Sequence, residues 1–214
     1  DIFKLKTKEI RERLFKFGIS PFFPPSNSPK LKNYSRLDQE FFLEEGMKIK
    51  TPYHLVANIC SPCKIKKRIY GCYSKNYLGV LANVFKILLY EHTLTFTSEI
   101  GIPEVANVGK TYFFEQKRDK ITSYTLSPTQ MGVREANKRD IIAHSREEII
   151  ADFVKVLKGE ASESKIDLVV LNAGAALYLL EDLQSIKEGV KKAKDIIYSG
   201  EAYKIFTKLV ELPL

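Results

Sequence analysis

The sequence predicts an α/β fold, because segments typical of strands alternate with segments typical of helices. Residues 66–74 alternate polar and apolar side chains, and residues 94–98 form a second short β-rich run. Residues 110–126 hold two such runs around a polar turn and predict a hairpin. Apolar residues recur at helical spacing over 76–90 and 165–202. We therefore expect a mixed sheet flanked by helices.

The stretch from Lys165 to Ala202 predicts two amphipathic helices that meet at a short corner. Ser185 has the character of a helix N-cap, and Glu188 follows it at capping-box spacing. Gly200 is a plausible end for the second helix. Alanine and glycine stand where a neighbouring backbone could come close.

Caps elsewhere in the chain predict further helices. Ser145 with Glu148 begins one helix, and Gly159 ends it. Thr7 begins another helix near the start, which Gly18 ends. Four prolines within residues 19–34 then exclude a regular helix, and residues 35–47 predict a short acidic one. We expect all of residues 1–214 to form a single domain.

Composition is that of a globular protein rather than a membrane or secreted one. Of 214 residues, 44% are hydrophobic and 28% are charged. No apolar run approaches the ~20 residues of a membrane span, and no secretory signal is visible. Three cysteines make an odd count, which argues against a disulfide framework. A cytoplasmic location is the expectation, with no membrane partner.

The net charge of +8 favours acidic partners, such as nucleic acid, phosphorylated ligands or an acidic protein. A solvated surface with an excess of lysine explains the same charge equally well.

Residues 171–202 have the sequence LNAGAALYLLEDLQSIKEGVKKAKDIIYSGEA. This string resembles the end of the anthranilate phosphoribosyltransferase family, also called glycosyltransferase family 3. Residues 98–116, SEIGIPEVANVGKTYFFEQ, match its metal-loop pattern at five positions, which are Gly101, Glu104, Val105, Gly109 and Thr111. The resemblance implies the C-terminal α/β portion of the fold shared with pyrimidine nucleoside phosphorylases.

The resemblance also implies where a metal would bind. The family's Asp-Glu pair holds magnesium on the pyrophosphate of phosphoribosyl pyrophosphate. Here Pro103 stands at the Asp position, and Glu104 is the remaining metal candidate. One carboxylate is a weak magnesium site. We expect no resident cofactor, with magnesium only where activity survives in a larger assembly.

The acceptor side of the family site is also altered. Lys50 and Thr51 match an Arg-Thr pair, and Asn58 lies in the segment that replaces GPLTNP. These three residues are weak acceptor-site candidates. The family's acceptor-binding His falls on Ser28, and its carboxylate-binding Arg has no secure counterpart at Arg36 or Asp38.

The family's Gly-rich phosphate loop, its KHGN segment and its N-terminal helical domain have no counterpart in these residues. We therefore expect a domain that is catalytically degenerate on its own. It would act as a binding or scaffold protein, or as part of a larger or split enzyme whose first part is not in this sequence. A protein partner or a second copy of the chain would fit that role.

A nucleic-acid-binding protein on the same scaffold is the alternative. The proposed contacts form a basic cluster, with tyrosines nearby, that consists of Lys64, Lys66, Lys67 and Arg68. Lysines that guard a sheet edge explain the same cluster. A second basic set, Lys187, Lys191, Lys192 and Lys194, is mostly a solvent-facing side of a helix.

Cys60 and Cys63, with Cys72 and His54, could form a zinc site of the Cys₃His type. The spacing lacks the second CxxC of a zinc knuckle, so buried thiols are the preferred interpretation. His92 and His144 have no evident partners in the sequence and are interpreted as structural.

Overall fold

The computed structural model describes residues 7–16, 59 and 65–211. These residues belong to two units, which are described separately. The first contains helix α1, Thr7–Lys16, at the position predicted from Thr7. The second is formed by residues 66–211. The predicted loop 19–34 and helix 35–47 lie outside the described residues, and the single-domain organisation stays a prediction.

The sheet of the second unit has four strands in the order β1-β2-β3-β4. They are β1 (Lys67–Gly71), β2 (His92–Ser98), β3 (Thr111–Lys117) and β4 (Lys120–Leu126). Strand β1 pairs with β2 in parallel, whereas β2 with β3 and β3 with β4 are antiparallel. The sheet is therefore mixed, as predicted, and the hairpin turns at Arg118 and Asp119.

Six helices of this unit surround the sheet. They are α2 (Leu78–Ile87), α3 (Lys138–Ile141), α4 (Arg146–Lys158), α5 (Glu163–Leu180), α6 (Ile186–Tyr198) and α7 (Glu201–Glu211). Short 3-10 turns at Lys75–Tyr77 and Thr129–Met131 complete the connections.

The predicted helix caps are confirmed by hydrogen bonds. The Ser145 hydroxyl accepts from the backbone N–H of Glu148, and the Ser185 hydroxyl accepts from that of Glu188. Gly200 does follow the end of α6, in the left-handed region at φ 74°. The chain then enters α7 at once, a helix that the sequence patterns did not predict.

Both faces of β2 are covered, and all seven of its residues are buried. Thr95 faces α2, where its hydroxyl donates to the Leu78 carbonyl. Leu94 and Phe96 face the main core, which they share with α5 and α6. Burial on both faces is typical of strands that have a parallel neighbour.

Helices α5 and α6 approach most closely at two glycines. A Cβ atom added to Gly189 would lie 2.1 Å from the Gly174 carbonyl oxygen, and one added to Gly174 would lie 2.5 Å from the Val190 nitrogen. Any side chain at either position would therefore separate the helices, which explains the small residues seen in the sequence.

Within the described part of the chain, no helix has the length and apolar character needed to cross a membrane.

Candidate functional site

The candidate site is the loop of residues 99–110, which leaves the carboxyl end of β2. Ligands of open α/β sheets bind outside the carboxyl ends of their strands. The base of the loop is closed where the Glu99 N–H donates to the Lys110 carbonyl at 2.7 Å and the Lys110 N–H donates to the Glu99 carboxylate at 2.9 Å. Gly101 and Gly109 supply the left-handed backbone of its turns, at φ 76° and 67°.

Asn172 of helix α5 holds the middle of this loop. Its side-chain oxygen accepts from the Val105 N–H at 3.0 Å, and its side-chain nitrogen donates to the Val105 carbonyl at 2.9 Å. One amide side chain thus satisfies both backbone groups of a buried residue. The contact fixes the residue directly after Glu104.

Asn107 anchors the far half of the loop. It is fully buried, and its side-chain nitrogen donates to the Ser164 carbonyl at 2.8 Å. Its own carbonyl accepts from the Ala136 N–H at 2.8 Å. The loop is therefore attached to the start of α5 and to the segment before α3 by bonds from uncharged groups.

The loop also lies against the end of β1. An added Cβ atom on Gly71 would stand 1.8 Å from the Pro103 carbonyl oxygen, so the Pro103 backbone occupies the space of a side chain. The sequence needs glycine at position 71 for this reason. The carbonyl of Pro103 is directed at Gly71 rather than at solvent.

Glu104 is an exposed carboxylate near the tip of the loop, whereas the other exposed carboxylate, Glu99, accepts from the Lys110 N–H at the base of the loop. In the described part of the chain Glu104 makes no hydrogen bond or ion pair, and no group of three or more His, Cys, Asp or Glu side chains is placed to hold a metal. Magnesium needs about six oxygen ligands in near-octahedral geometry. A single carboxylate beside a proline does not fit a resident magnesium ion.

The family described as "Glycosyl transferase family, a/b domain" matches residues 7–203. The chain belongs to this family. The resemblance found in the sequence is thereby confirmed.

Relatives in the family are similar along most of this chain. Anthranilate phosphoribosyltransferase of Clostridium beijerinckii is 30% identical over 212 residues, which are 99% of this chain and 60% of that protein. The enzyme of Vesicomyosocius okutanii is 30% identical over 199 residues, or 93% of this chain and 57% of that protein. The chain thus spans less than two thirds of the length of these relatives.

Solved structures show the same fold. Anthranilate phosphoribosyltransferase from Thermus thermophilus superposes with a TM-score of 0.77 at 25% identity, covering 98% of this chain and 60% of that one. The Saccharomyces cerevisiae enzyme in complex with PRPP and Mg superposes with a TM-score of 0.66 at 24% identity, covering 76% of this chain and 46% of that one. The second likeness shows the fold alone.

Most acceptor-side and zinc candidates lie outside the described residues. These are Lys50, Thr51, Asn58, Ser28, Arg36, Asp38, His54, Cys60 and Cys63. Cys72 is described and half-buried just after β1, where its thiol donates to the Ser74 carbonyl at 3.2 Å. Burial raises the pKa of this thiol, so it is not an activated thiolate.

The described members of the basic cluster each have a partner within the same chain. Lys66 pairs with Glu91 at 2.8 Å, and Lys67 pairs with Asp182 at 2.7 Å. Arg68 donates to the Tyr90 hydroxyl at 2.9 Å and lies 5.1 Å from the centre of the Phe85 ring. Lys64 lies outside the described residues.

The lysines of α6 do not form one uniform solvent-facing side. Lys187, Lys191 and Lys194 line a groove of about 370 Å³ against the turn at Gly132. The Lys194 ammonium lies 2.7 Å from the carboxylate of Asp167, which is buried in α5. Lys194 therefore departs from the predicted solvent face, because its charge neutralises a carboxylate of the core.

A second polar cluster, at the other end of β2, was missed in the sequence. His92 is buried, and its Nε2 lies 2.6 Å from the Glu115 carboxylate. The hydroxyls of Tyr178 and Tyr124 donate to the same carboxylate at 2.8 and 2.9 Å. We call these four residues the His92 cluster.

The environment of the His92 cluster favours an ionised Glu115. Burial by itself would raise the pKa of Glu115, but the hydrogen bonds from His92, Tyr178 and Tyr124 outweigh it and lower that pKa. Burial and the neighbouring Glu115 charge raise the pKa of both tyrosines, so these remain hydroxyl donors.

Proposed function

We propose that this chain is an anthranilate phosphoribosyltransferase-like α/β domain. Its metal loop, residues 99–110, would keep a folded backbone but lack one of the two metal-binding carboxylates. On its own it would serve as a binding or scaffold domain, and it would contribute to catalysis only within a larger assembly. A protein partner or a second copy of the chain belongs to this proposal. The observation that carries it is the Pro103-Glu104 pair on an otherwise fully anchored loop.

The anchoring supports this proposal because it is independent of the missing carboxylate. Asn172, Asn107 and Gly71 fix the loop through backbone groups and close packing, and none of them needs an acidic residue at position 103. The loop can therefore stay folded after the loss of a metal ligand.

Proline at position 103 removes more than a side-chain carboxylate. The side chain has no oxygen, and the backbone carbonyl lies against Gly71, where a cation has no room. Glu104 alone would face the magnesium of a magnesium–phosphoribosyl pyrophosphate complex. Lys50, Thr51 and Asn58 stay predictions for the acceptor side.

The test is the binding of phosphoribosyl pyrophosphate, measured by titration calorimetry with and without magnesium. We expect the unchanged chain to bind weakly, with little gain from magnesium. Pro103→Asp would add the second carboxylate and strengthen magnesium-dependent binding by about tenfold or more, which is roughly 1.4 kcal/mol.

Pro103→Ala is the matched control, because it removes the ring without adding a ligand, and it should leave binding weak. Glu104→Ala in the Pro103→Asp background should abolish the gain. Tight magnesium-dependent binding by the unchanged chain, or phosphoribosyl transfer to an aromatic amine by it, would contradict the proposal.

Nucleic-acid binding stays the second candidate, supported by the net charge of +8. The internal partners of Lys66, Lys67 and Arg68 leave less positive charge for phosphates at that cluster. Fluorescence anisotropy with labelled single- and double-stranded oligonucleotides at two salt concentrations tests it. Phosphate contacts would give steeply salt-dependent binding, and no binding at low salt would exclude this function.

A further inference from the structure

Strand β4, Lys120–Leu126, is an edge of the sheet, because it pairs with β3 on one side and with no described strand on the other. We propose that this edge is a docking surface for the β4 strand of a second copy of the chain, in an antiparallel pair. The two sheets would join into one continuous sheet across a two-fold axis. The inference rests on the part of the proposed function that includes a second copy, and it does not involve the metal loop.

The hydrogen bonds of β3 show which backbone groups of β4 face outward. At the two ends of the β2–β3 pair, the Glu99 N–H donates to the Lys110 carbonyl at 2.7 Å, and the Arg118 N–H donates to the Glu91 carbonyl at 2.8 Å. Along an antiparallel pair, residues alternate between those that bond to that neighbour and those that face away from it. The even-numbered residues of β3 therefore bond to β2, and the odd-numbered ones bond to β4.

The odd-numbered residues of β4 consequently direct their backbone groups away from β3. The register places Ser123 opposite Phe114, which bonds to β2, and the same alternation applies to Ile121 and Thr125. Each of these three residues presents an N–H and a carbonyl at the outer edge. In the part of the chain that the structure describes, these groups have no hydrogen-bond partner, and Ser123 and Thr125 are exposed.

The outer edge of β4 lacks the features that normally keep sheet edges apart. Natural edges are protected by charges, prolines, bulges or a covering element. Residues 121–126, ITSYTL, contain no charge and no proline, and most of them favour extended strands. The β3–β4 register runs without a bulge from the Thr111–Leu126 pair to the Lys117–Lys120 pair. The strand is therefore suited to accept another strand.

A second copy fits this edge because the edge is complementary to itself. In an antiparallel pair centred on Ser123, Ile121 of one chain faces Thr125 of the other, and Ser123 faces Ser123. Every outward N–H then meets an outward carbonyl, whereas a shift by two residues leaves some of these groups unpaired. Each Lys120 faces Leu126 of the other copy, so the two lysines lie at opposite ends of the pair, about 20 Å apart.

The test is sedimentation velocity of the full chain from about 10 μM to 1 mM, because an interface of one strand edge is small for a specific complex. We expect a dimer whose population rises with concentration. Hydrogen exchange at the amides of Ile121, Ser123 and Thr125 should slow by about tenfold once nine chains in ten are paired, since exchange then occurs from the unpaired tenth.

Charges at position 123 test the two-fold axis directly. Ser123→Lys and Ser123→Glu each place like charges opposite one another and should weaken the dimer by about fivefold. An equimolar mixture of the two variants should dimerise again, because opposite charges then face each other. Ser123→Pro should abolish the dimer, because it removes an outward N–H that β3 does not use.

Ile149→Lys is the matched control. It adds the same charge to an exposed residue of α4, a helix that packs on α5, α6 and α7, and it should leave the dimer unchanged. A chain that stays monomeric over the whole concentration range would overturn the proposal. So would a dimer that Ser123→Lys does not weaken, or one without slower exchange at the three amides. These outcomes leave the phosphoribosyl pyrophosphate test untouched, so the two proposals can fail separately.

Discussion

The two ends of strand β2 are held in different ways. At the carboxyl end, the loop 99–110 is fixed by neutral amides and by a close backbone contact at Gly71. At the amino end, the His92 cluster joins three strands and α5 through one partly buried carboxylate. The middle of the loop is held by groups that do not titrate, although the Glu99 carboxylate accepts a hydrogen bond at its base. The His92 cluster instead depends on an ionised Glu115.

In the candidate site, the residues that anchor the loop are therefore different from the residues that could bind a metal. Because Asn172, Asn107 and Gly71 hold the middle of the loop without titrating or binding metal, its ligands can change without loss of the fold. The His92 cluster has no such freedom, since each of its members satisfies another in a buried setting.

Glu115→Ala should have the largest effect on stability, because it removes the shared acceptor of the His92 cluster at the amino end of β2. The loop at the carboxyl end of β2 is left unchanged. It leaves a buried histidine and two tyrosine hydroxyls without their acceptor. We expect the free energy of unfolding to fall by about 3–5 kcal/mol, the range for removing one partner of a buried pair. Urea denaturation followed by circular dichroism measures this.

Glu91→Ala is the control for that variant, because Glu91 forms an exposed ion pair with Lys66. Its effect should stay below about 1 kcal/mol. A similar loss in both variants would show that the cluster is no stronger than a surface pair.

Asn172→Ala should release the loop 99–110 at the carboxyl end of β2 and lower stability by an intermediate amount. It leaves the Val105 N–H and carbonyl without partners, at a cost of about 1–3 kcal/mol. Hydrogen exchange at the Val105 amide should accelerate far more than exchange in β3. Asn83→Ala, which removes an exposed amide bonded within α2, should change stability by less than about 0.5 kcal/mol. Unchanged protection at Val105 would refute the role of Asn172.

Low pH should weaken the His92 cluster at the amino end of β2 before it affects the loop at the carboxyl end. Of the three changes in stability, this one should be the smallest. The folded-state pKa of Glu115 lies below its ordinary value of 4.5. Its contribution to stability is therefore present above that value and is lost as pH falls through the folded-state pKa. In Glu115→Gln this part of the acid dependence should disappear.

Some acid dependence will remain in that variant. Hydrogen bonds from the His144 N–H and from Lys165 lower the pKa of Glu148, and Lys67 lowers that of Asp182. Protection of the Val105 amide should not change until global unfolding. An identical acid profile for the unchanged chain and Glu115→Gln would contradict this account.

Local patterns were enough to predict most of the elements that build the fold. Ser145, Ser185 and Gly159 marked helix ends correctly because capping depends on residues within one turn. The hairpin β3–β4 was predicted because its alternation and turn are also local. Helix α7 was not predicted, because a left-handed glycine such as Gly200 indicates only that one helix ends and gives no information on the residues after it.

Contacts between distant segments could not be predicted in this way. Asn172 and Val105 are far apart in sequence, as are His92, Glu115 and Tyr178, and no spacing rule connects them. One signal was available, since Asn172 is a polar residue among the apolar side chains of a buried helix. Such a residue needs a partner inside the fold, and that requirement points to a structural role before any coordinates exist.

The glycine contact between α5 and α6 has a consequence for the order of folding. These helices are joined by residues 181–185 alone, so they can dock as a helical hairpin with little loop entropy to overcome. The parallel pairing of β1 with β2 must instead wait for the crossover through α2. We expect Gly189→Ala to slow folding rather than to speed unfolding, which would place this contact in the transition state.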